Sequence, residues 1–209
     1  RSEDAATEYP VEEQNWAAAA EKADSAGADV ISTSLGYNTF SNSSFDYTYS
    51  NMNGNTTTIV KAADIAAKKG LAVIASAGNE GSNSWHYIVT PADGDSVFAV
   101  GAVNVNSQVA GFSSFGPSSD GRIKPDVAAV GAGAIVANQN TGQPSYNNGT
   151  SFSCPIMAGV VTCLWQAFPE VNNMSVLDAL RRSANRYNNT DNRTGYGIQK
   201  KKKAFVYLI

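Results

Sequence analysis

An α/β fold with a mostly parallel sheet is predicted by two features of this sequence. Strand-length apolar runs alternate with helix-length segments, an order that places neighbouring strands parallel with helices between them. The chain has 209 residues of which 43% are hydrophobic, enough to bury a sizeable core within one domain spanning 1–209. No second domain and no internal repeat is needed to account for it.

The first helix runs from Pro10 to Ala26, with Trp16, Ala19, Ala20 and Ala23 as its small apolar positions and Gly27 placed to end it. Ala28 to Leu35 follows as a buried strand. Residues 38–57 are rich in Asn, Ser, Thr and Tyr without helical period, which predicts a long surface loop. Thr57 to Lys69 forms the next helix, stopped by Gly70, and Leu71 to Ala75 the next strand. Val97 to Val103 is a further strand, and short strands and turns extend to Tyr146. The apolar run from Ile156 to Phe168 predicts a buried helix that Pro169 ends. Asn173 or Ser175 caps another helix to about Ala184, and Gln199 to Leu208 makes a short last one, its lysines Lys200 to Lys203 forming a solvated face.

Residues 149–159 carry the strongest functional signal. Thr150 and Ser151 are helix-capping residue types at the mouth of the apolar helix, and Pro155 is tolerated in a first turn, where N–H groups lack intrahelical partners. Ser151 therefore sits at a positive dipole end. A serine hydroxyl is a weak nucleophile that needs a base to take its proton and donors to hold the oxyanion it creates. Asn79, in the turn Ser76-Ala77-Gly78-Asn79 after an apolar strand, supplies a side-chain amide of the required kind. The base is missing. The one histidine, His86, lies between Trp85 and Tyr87 and reads as structural.

Gly149-Thr150-Ser151-Phe152-Ser153-Cys154-Pro155 resembles the serine motif of the subtilisin-like serine peptidases, Gly78-Asn79 their oxyanion-hole asparagine, and Ser34-Leu35-Gly36 their substrate-binding strand. The three occur in the family's order. Ala28–Ile31, Val97–Val103, Phe112–Gly116 and Lys124–Ala129 extend the likeness over nearly the whole chain. The resemblance implies a three-layer subtilisin-like fold, here without its N-terminal strands, and serine endopeptidase activity through an acyl-enzyme on Ser151 with Asn79 in the oxyanion hole. It also implies that a substrate backbone adds along Ser34, Leu35 and Gly36 as an extra strand, while Ser76, Ala77 and Gly78 form a pocket wall. A roomy pocket there would suit large apolar side chains.

In that family the aspartate and the His-Gly-Thr histidine precede the substrate-binding strand, an order known from subtilisin itself. Only 33 residues precede Ser34 here, without Asp-Gly or His-Gly-Thr, and Asp4 in the acidic opening reads as a surface charge. The chain is thus expected to be the C-terminal part of such a catalytic domain, separated by truncation or proteolysis and inactive alone. Its first strand would then carry an unpaired apolar edge, to be covered by the upstream segment or by a second copy. Secretion is implied by the family alone.

Other functions are weighed against the same residues. A net charge of −3 gives no reason to expect nucleic acid, and no 18-residue apolar run suggests a membrane span. Cys154 and Cys163 lie nine residues apart in one helix. That is about 13 Å along the axis, too far for a disulfide, so both read as buried thiols. Cys154 has no basic neighbour to activate it. An esterase of the α/β-hydrolase type needs Gly-x-Ser-x-Gly and a histidine after the serine, and neither is present. No cofactor or metal is expected. Calcium is the one ion considered, at Asp46, Asn51, Asn53 and Asn55, whose spacing fits no ligand loop. The alternative from another class is a non-catalytic peptide-binding domain on the same scaffold.

Overall fold

The structure, a computed structural model, describes residues 3, 6–199 and 201–208, without the side chains of 201 and 202. Asp4 and Lys200 lie outside these residues. Four strands, β1 (Val30–Thr33), β2 (Ala72–Ser76), β3 (Phe98–Val103) and β4 (Val127–Val130), form one parallel sheet in the order β1-β2-β3-β4. Val30 pairs with Ala72, Ile74 with Phe98, and Val100 with Val127. A separate antiparallel hairpin joins β5 (Ala134–Ala137) to β6 (Pro144–Asn147).

The alternation of side chains along each strand explains the layers. Ala72, Ile74, Phe98, Val100, Val127 and Ala129 face α3 (Thr150–Ala167) and α4 (Asn173–Ser183). Val73, Ala75, Val97 and Ala99 face α1 (Val11–Ser25) and α2 (Thr58–Lys68). Because both faces are covered, β2 and β3 are buried at every position and read as continuous apolar runs. The last segment is α5 (Lys201–Ala204) followed by a 3-10 turn over Phe205–Tyr207, shorter than the single helix expected.

Several local expectations are corrected. The expected apolar positions of α1 are only partly core: Trp16 and Ala20 are buried, Ala19 is exposed, and Glu12 and Glu13 are buried beside them. Glu13 accepts from Tyr47 Oη at 2.6 Å and from the Ile59 N–H at 2.9 Å, so a carboxylate satisfies an orphan donor at the N-terminus of α2. Burial and this carboxylate push the Tyr47 phenol up.

Residues 38–57 are not simply a surface loop. Phe40 and Met52 are buried, and Phe40 stacks on Tyr37 and meets Tyr47 edge-on. Three of the four residues considered for calcium serve turns through their side-chain oxygens: Asp46 Oδ1 accepts from Phe40 N, Asn51 Oδ1 from Thr48 N, and Asn53 Oδ1 from Asn55 N. The cap of α4 is Asn172, one residue before the expected Asn173. Asn173 instead donates to the carbonyls of Ala67 and Leu71, both at 2.8 Å, tying α4 to the end of α2. The helix predicted as buried is covered on one face only. Cys154 and Val161 are buried, whereas Ile156 and Cys163 lie on the outer face and are exposed.

Candidate active site

The carboxyl ends of β1 and β2 and the N-terminus of α3 converge on one surface, the end of a parallel sheet where open α/β folds bind ligands. Ser34 follows the last residue of β1, Ser76 ends β2, and Ser151 is the second residue of α3. Gly149 precedes the helix at φ 154°, a conformation that favours glycine and turns the chain sharply into α3.

Ser34 and Ser151 clasp one another. Ser151 Oγ donates to the Ser34 carbonyl at 3.2 Å, and Ser34 Oγ donates to the Ser151 carbonyl at 3.0 Å. The second bond has a covalent cause. In a regular helix the Ser151 carbonyl would accept from residue 155, but Pro155 has no N–H, so the carbonyl is orphaned and Ser34 satisfies it. The expectation that Pro155 falls in a first turn is thereby corrected: α3 begins at Thr150, and the proline interrupts its second turn.

Asn79 is fixed through its oxygen. Thr150 N and Thr150 Oγ1 both donate to Asn79 Oδ1, at 2.9 and 3.1 Å. Thr150 Oγ1 also accepts from Gly78 N at 3.2 Å. Two donors on the oxygen dictate the amide orientation and leave the NH2 group of this exposed residue directed away from them. The backbone N–H of Ser151, in the first turn of α3, has no intrahelical acceptor. Asn79 is thus held by the residue that immediately precedes Ser151.

Underneath, Cys154 Sγ lies 3.4 Å from the Thr33 carbonyl, 3.5 Å from the Ile74 carbonyl and 3.6 Å from Ser32 Oγ, which locks α3 to β1 and β2. Burial pushes its thiol up, away from the reactive thiolate. His86 stacks on Phe115 with ring centroids 5.2 Å apart and planes 13° apart, and among the described residues no imidazole or carboxylate bonds Ser151 Oγ.

Six of the sequence-selected residues, Ser34, Gly36, Ala77, Gly78, Asn79 and Ser151, lie on this surface or directly behind it, with Leu35 and Ser76 between them in the chain. Sequence reasoning missed Thr150 as the clamp on Asn79 and treated it as a cap. Thr150 is fully buried, and its partners Gly78 and Asn79 lie more than 70 residues away, so no local pattern marked it.

The family model described as the Subtilase family matches residues 5–197. The chain is 31% identical over 182 residues to the thermophilic serine proteinase of Bacillus sp. (strain AK1), covering 87% of this chain and 38% of that protein. It is 38% identical over 122 residues to Subtilisin NAT of Bacillus subtilis subsp. natto, covering 58% of this chain and 30% of that protein. Thus it spans about a third of the length of these curated relatives. The structure of the Prenylagaramide maturation protease PagA aligns with a TM-score of 0.72 at 25% identity, over 94% of this chain and 68% of that one. MycP1 without its N-terminal propeptide aligns at 0.73 and 22% identity, over 97% and 69% respectively, a likeness of fold.

Proposed function

Since the chain belongs to the subtilase family, we propose that it carries the nucleophile and oxyanion hole of a serine endopeptidase, with Ser151 attacking the peptide carbonyl. The observation that supports this reading is the double clamp of Thr150 on Asn79 Oδ1, which fixes the orientation of the Asn79 amide against the residue preceding Ser151. Asn79 Nδ2 and the Ser151 N–H would hold the developing oxyanion. The base is supplied by a histidine, oriented by an aspartate, from a segment preceding Arg1 in the gene product. That imidazole takes the Ser151 proton and returns it to the leaving amine. Water then releases the acyl group by the reverse sequence.

The substrate is a polypeptide, laid along Ser34, Leu35 and Gly36 as an added strand, with Ser76, Ala77 and Gly78 opposite. The upstream segment, or a second copy of the chain, covers the open edge of β1. We place the protease outside the cytoplasm on the strength of its family. Among the described residues no helix is long and apolar enough to cross a membrane.

The second reading, a peptide-binding domain without catalysis, draws on the hydrogen bond that engages Ser151 Oγ with the Ser34 carbonyl. Hydrolysis of a casein-derived peptide by the gene product, abolished in Ser151→Ala, separates the two. Peptide retained without cleavage by the wild-type protein would favour the second.

A further inference from the structure

The turn that carries Asn79 is held from two sides. On the α3 side Thr150 grips the Asn79 side chain and the Gly78 N–H. On the other side lies the segment 112–114, which follows β3. Gly81 N donates to the Phe112 carbonyl at 2.8 Å, Ser114 N donates to the Gly78 carbonyl at 3.0 Å, and Glu80 N donates to Ser114 Oγ at 2.9 Å.

Two of these bonds belong to one residue and straddle Asn79. The Gly78 carbonyl lies in the peptide plane that enters the Asn79 Cα, and the Glu80 N–H lies in the plane that leaves it. Pinning both planes fixes the two soft backbone dihedrals of Asn79, and with them the direction of its Cα–Cβ bond. Thr150 sets how the amide is turned, and Ser114 sets where the side chain starts from.

Burial and firm neighbours suit Ser114 to this task. It is fully buried, and on one flank the adjacent Ser113 Oγ accepts from Ala102 N of β3 at 2.9 Å. On the other flank Phe115 N donates to the His86 carbonyl at 3.1 Å, and Ile88 N donates to the Phe115 carbonyl at 3.0 Å. A Cβ on Gly78 would stand 2.8 Å from Ser114 Oγ, so glycine there lets the hydroxyl come up against the turn.

On the peptidase reading above, we infer that Ser114 is a positioning residue of the oxyanion hole, acting through Asn79 and not on the substrate. An oxyanion donor works only where its N–H meets the developing charge at hydrogen-bond distance, and small displacements of such groups are costly. Removing the Ser114 hydroxyl leaves the bond from Ser114 N to Gly78 in place and frees the plane on the far side of Asn79. The amide then loses its fixed base while the fold remains.

The test is a double-mutant cycle in the gene product, with kcat and KM measured on a casein-derived peptide for wild type, Ser114→Ala, Asn79→Ala and the pair. Ser114→Ala should lower kcat about tenfold with KM little changed. In the Asn79→Ala background the same substitution should cost less than about twofold, because the group it positions is gone. A merely structural serine would give equal factors in both backgrounds. That result overturns the inference, as does an unchanged kcat in Ser114→Ala. Should the alanine variant fail to fold, the same cycle with Ser114→Cys, a weaker acceptor of similar size, decides between the same outcomes. No hydrolysis by the wild-type gene product overturns the peptidase reading and this inference together, whereas equal factors in an active enzyme overturn the inference alone.

Discussion

The two edges of the sheet differ in how they are finished. At β4 the chain closes its own edge: Ala128 N donates to the Gly197 carbonyl at 3.0 Å and Tyr196 N to the Asp126 carbonyl at 2.8 Å. At β1 no further strand pairs among the described residues, Val30 and Ile31 are half-buried, and Ser32 is exposed. The closed edge carries a buried ionic lock, in which Asp126 meets Arg181 Nε at 2.6 Å and Lys124 Nζ at 3.0 Å. The open edge carries the Ser34–Ser151 clasp. The ionic lock lies at one flank and the proposed nucleophile at the other, so substitutions on the two sides should have separable effects.

The sharpest separation comes from Ser151→Ala in the gene product. Turnover should fall about a million-fold, the figure for removing the corresponding serine of subtilisin, which is carried over here. The thermal transition should barely move. A comparable loss of stability would merge the two flanks.

Asp126→Asn is the counterpart at β4. It leaves Lys124 and Arg181 as uncompensated buried cations, and urea denaturation should register a loss of about 3–5 kcal/mol. Acid titration adds a sign. Burial alone would raise the Asp126 carboxyl, but Arg181 and Lys124 overcome it and hold the group below its ordinary value of 3.8. A depressed folded-state value gives stability that is complete above the ordinary carboxylate range and lost as pH falls through the lowered value. The wild-type protein should lose stability over that acid interval, and Asp126→Asn should flatten that limb.

Asn79→Ala returns to the open flank. Turnover should drop about 100- to 1000-fold, again the subtilisin magnitude for its asparagine, with KM little changed. Smallest is Ser34→Ala, which removes an exposed side-chain hydrogen bond to the Ser151 carbonyl and should cost about 0.5–1.5 kcal/mol in chemical denaturation. If Ser34→Ala proved neutral while Pro155→Ala stabilised the protein, the compensation of the proline by Ser34 would be refuted.

The contrast also explains what the sequence made legible. Apolar runs such as Leu71–Ala75 and Val97–Val103 announced β2 and β3 because strands covered on both faces have no polar positions to confuse the period. Ser34, Asn79 and Ser151 were legible as one group through the motifs they share with the subtilase family, and the fold brings them to one end of the sheet. The buried Glu13 was hidden, since its partners Tyr47 and Ile59 lie 34 and 46 residues away. The Lys124–Asp126–Arg181 lock was hidden for the same reason, with Arg181 arriving from α4 across 55 residues. Thr150 meets Gly78 and Asn79 only after α3 and the turn following β2 have come together across more than 70 residues.

The central claim is that Ser151 is a nucleophile whose base comes from outside this chain. It is tested most directly by a fluorophosphonate probe with peptide mapping, applied to the gene product and to residues 1–209 alone. The account predicts rapid labelling of Ser151 in the gene product and none in the isolated chain. Equal labelling of both, or no label on Ser151 in the gene product, would contradict it.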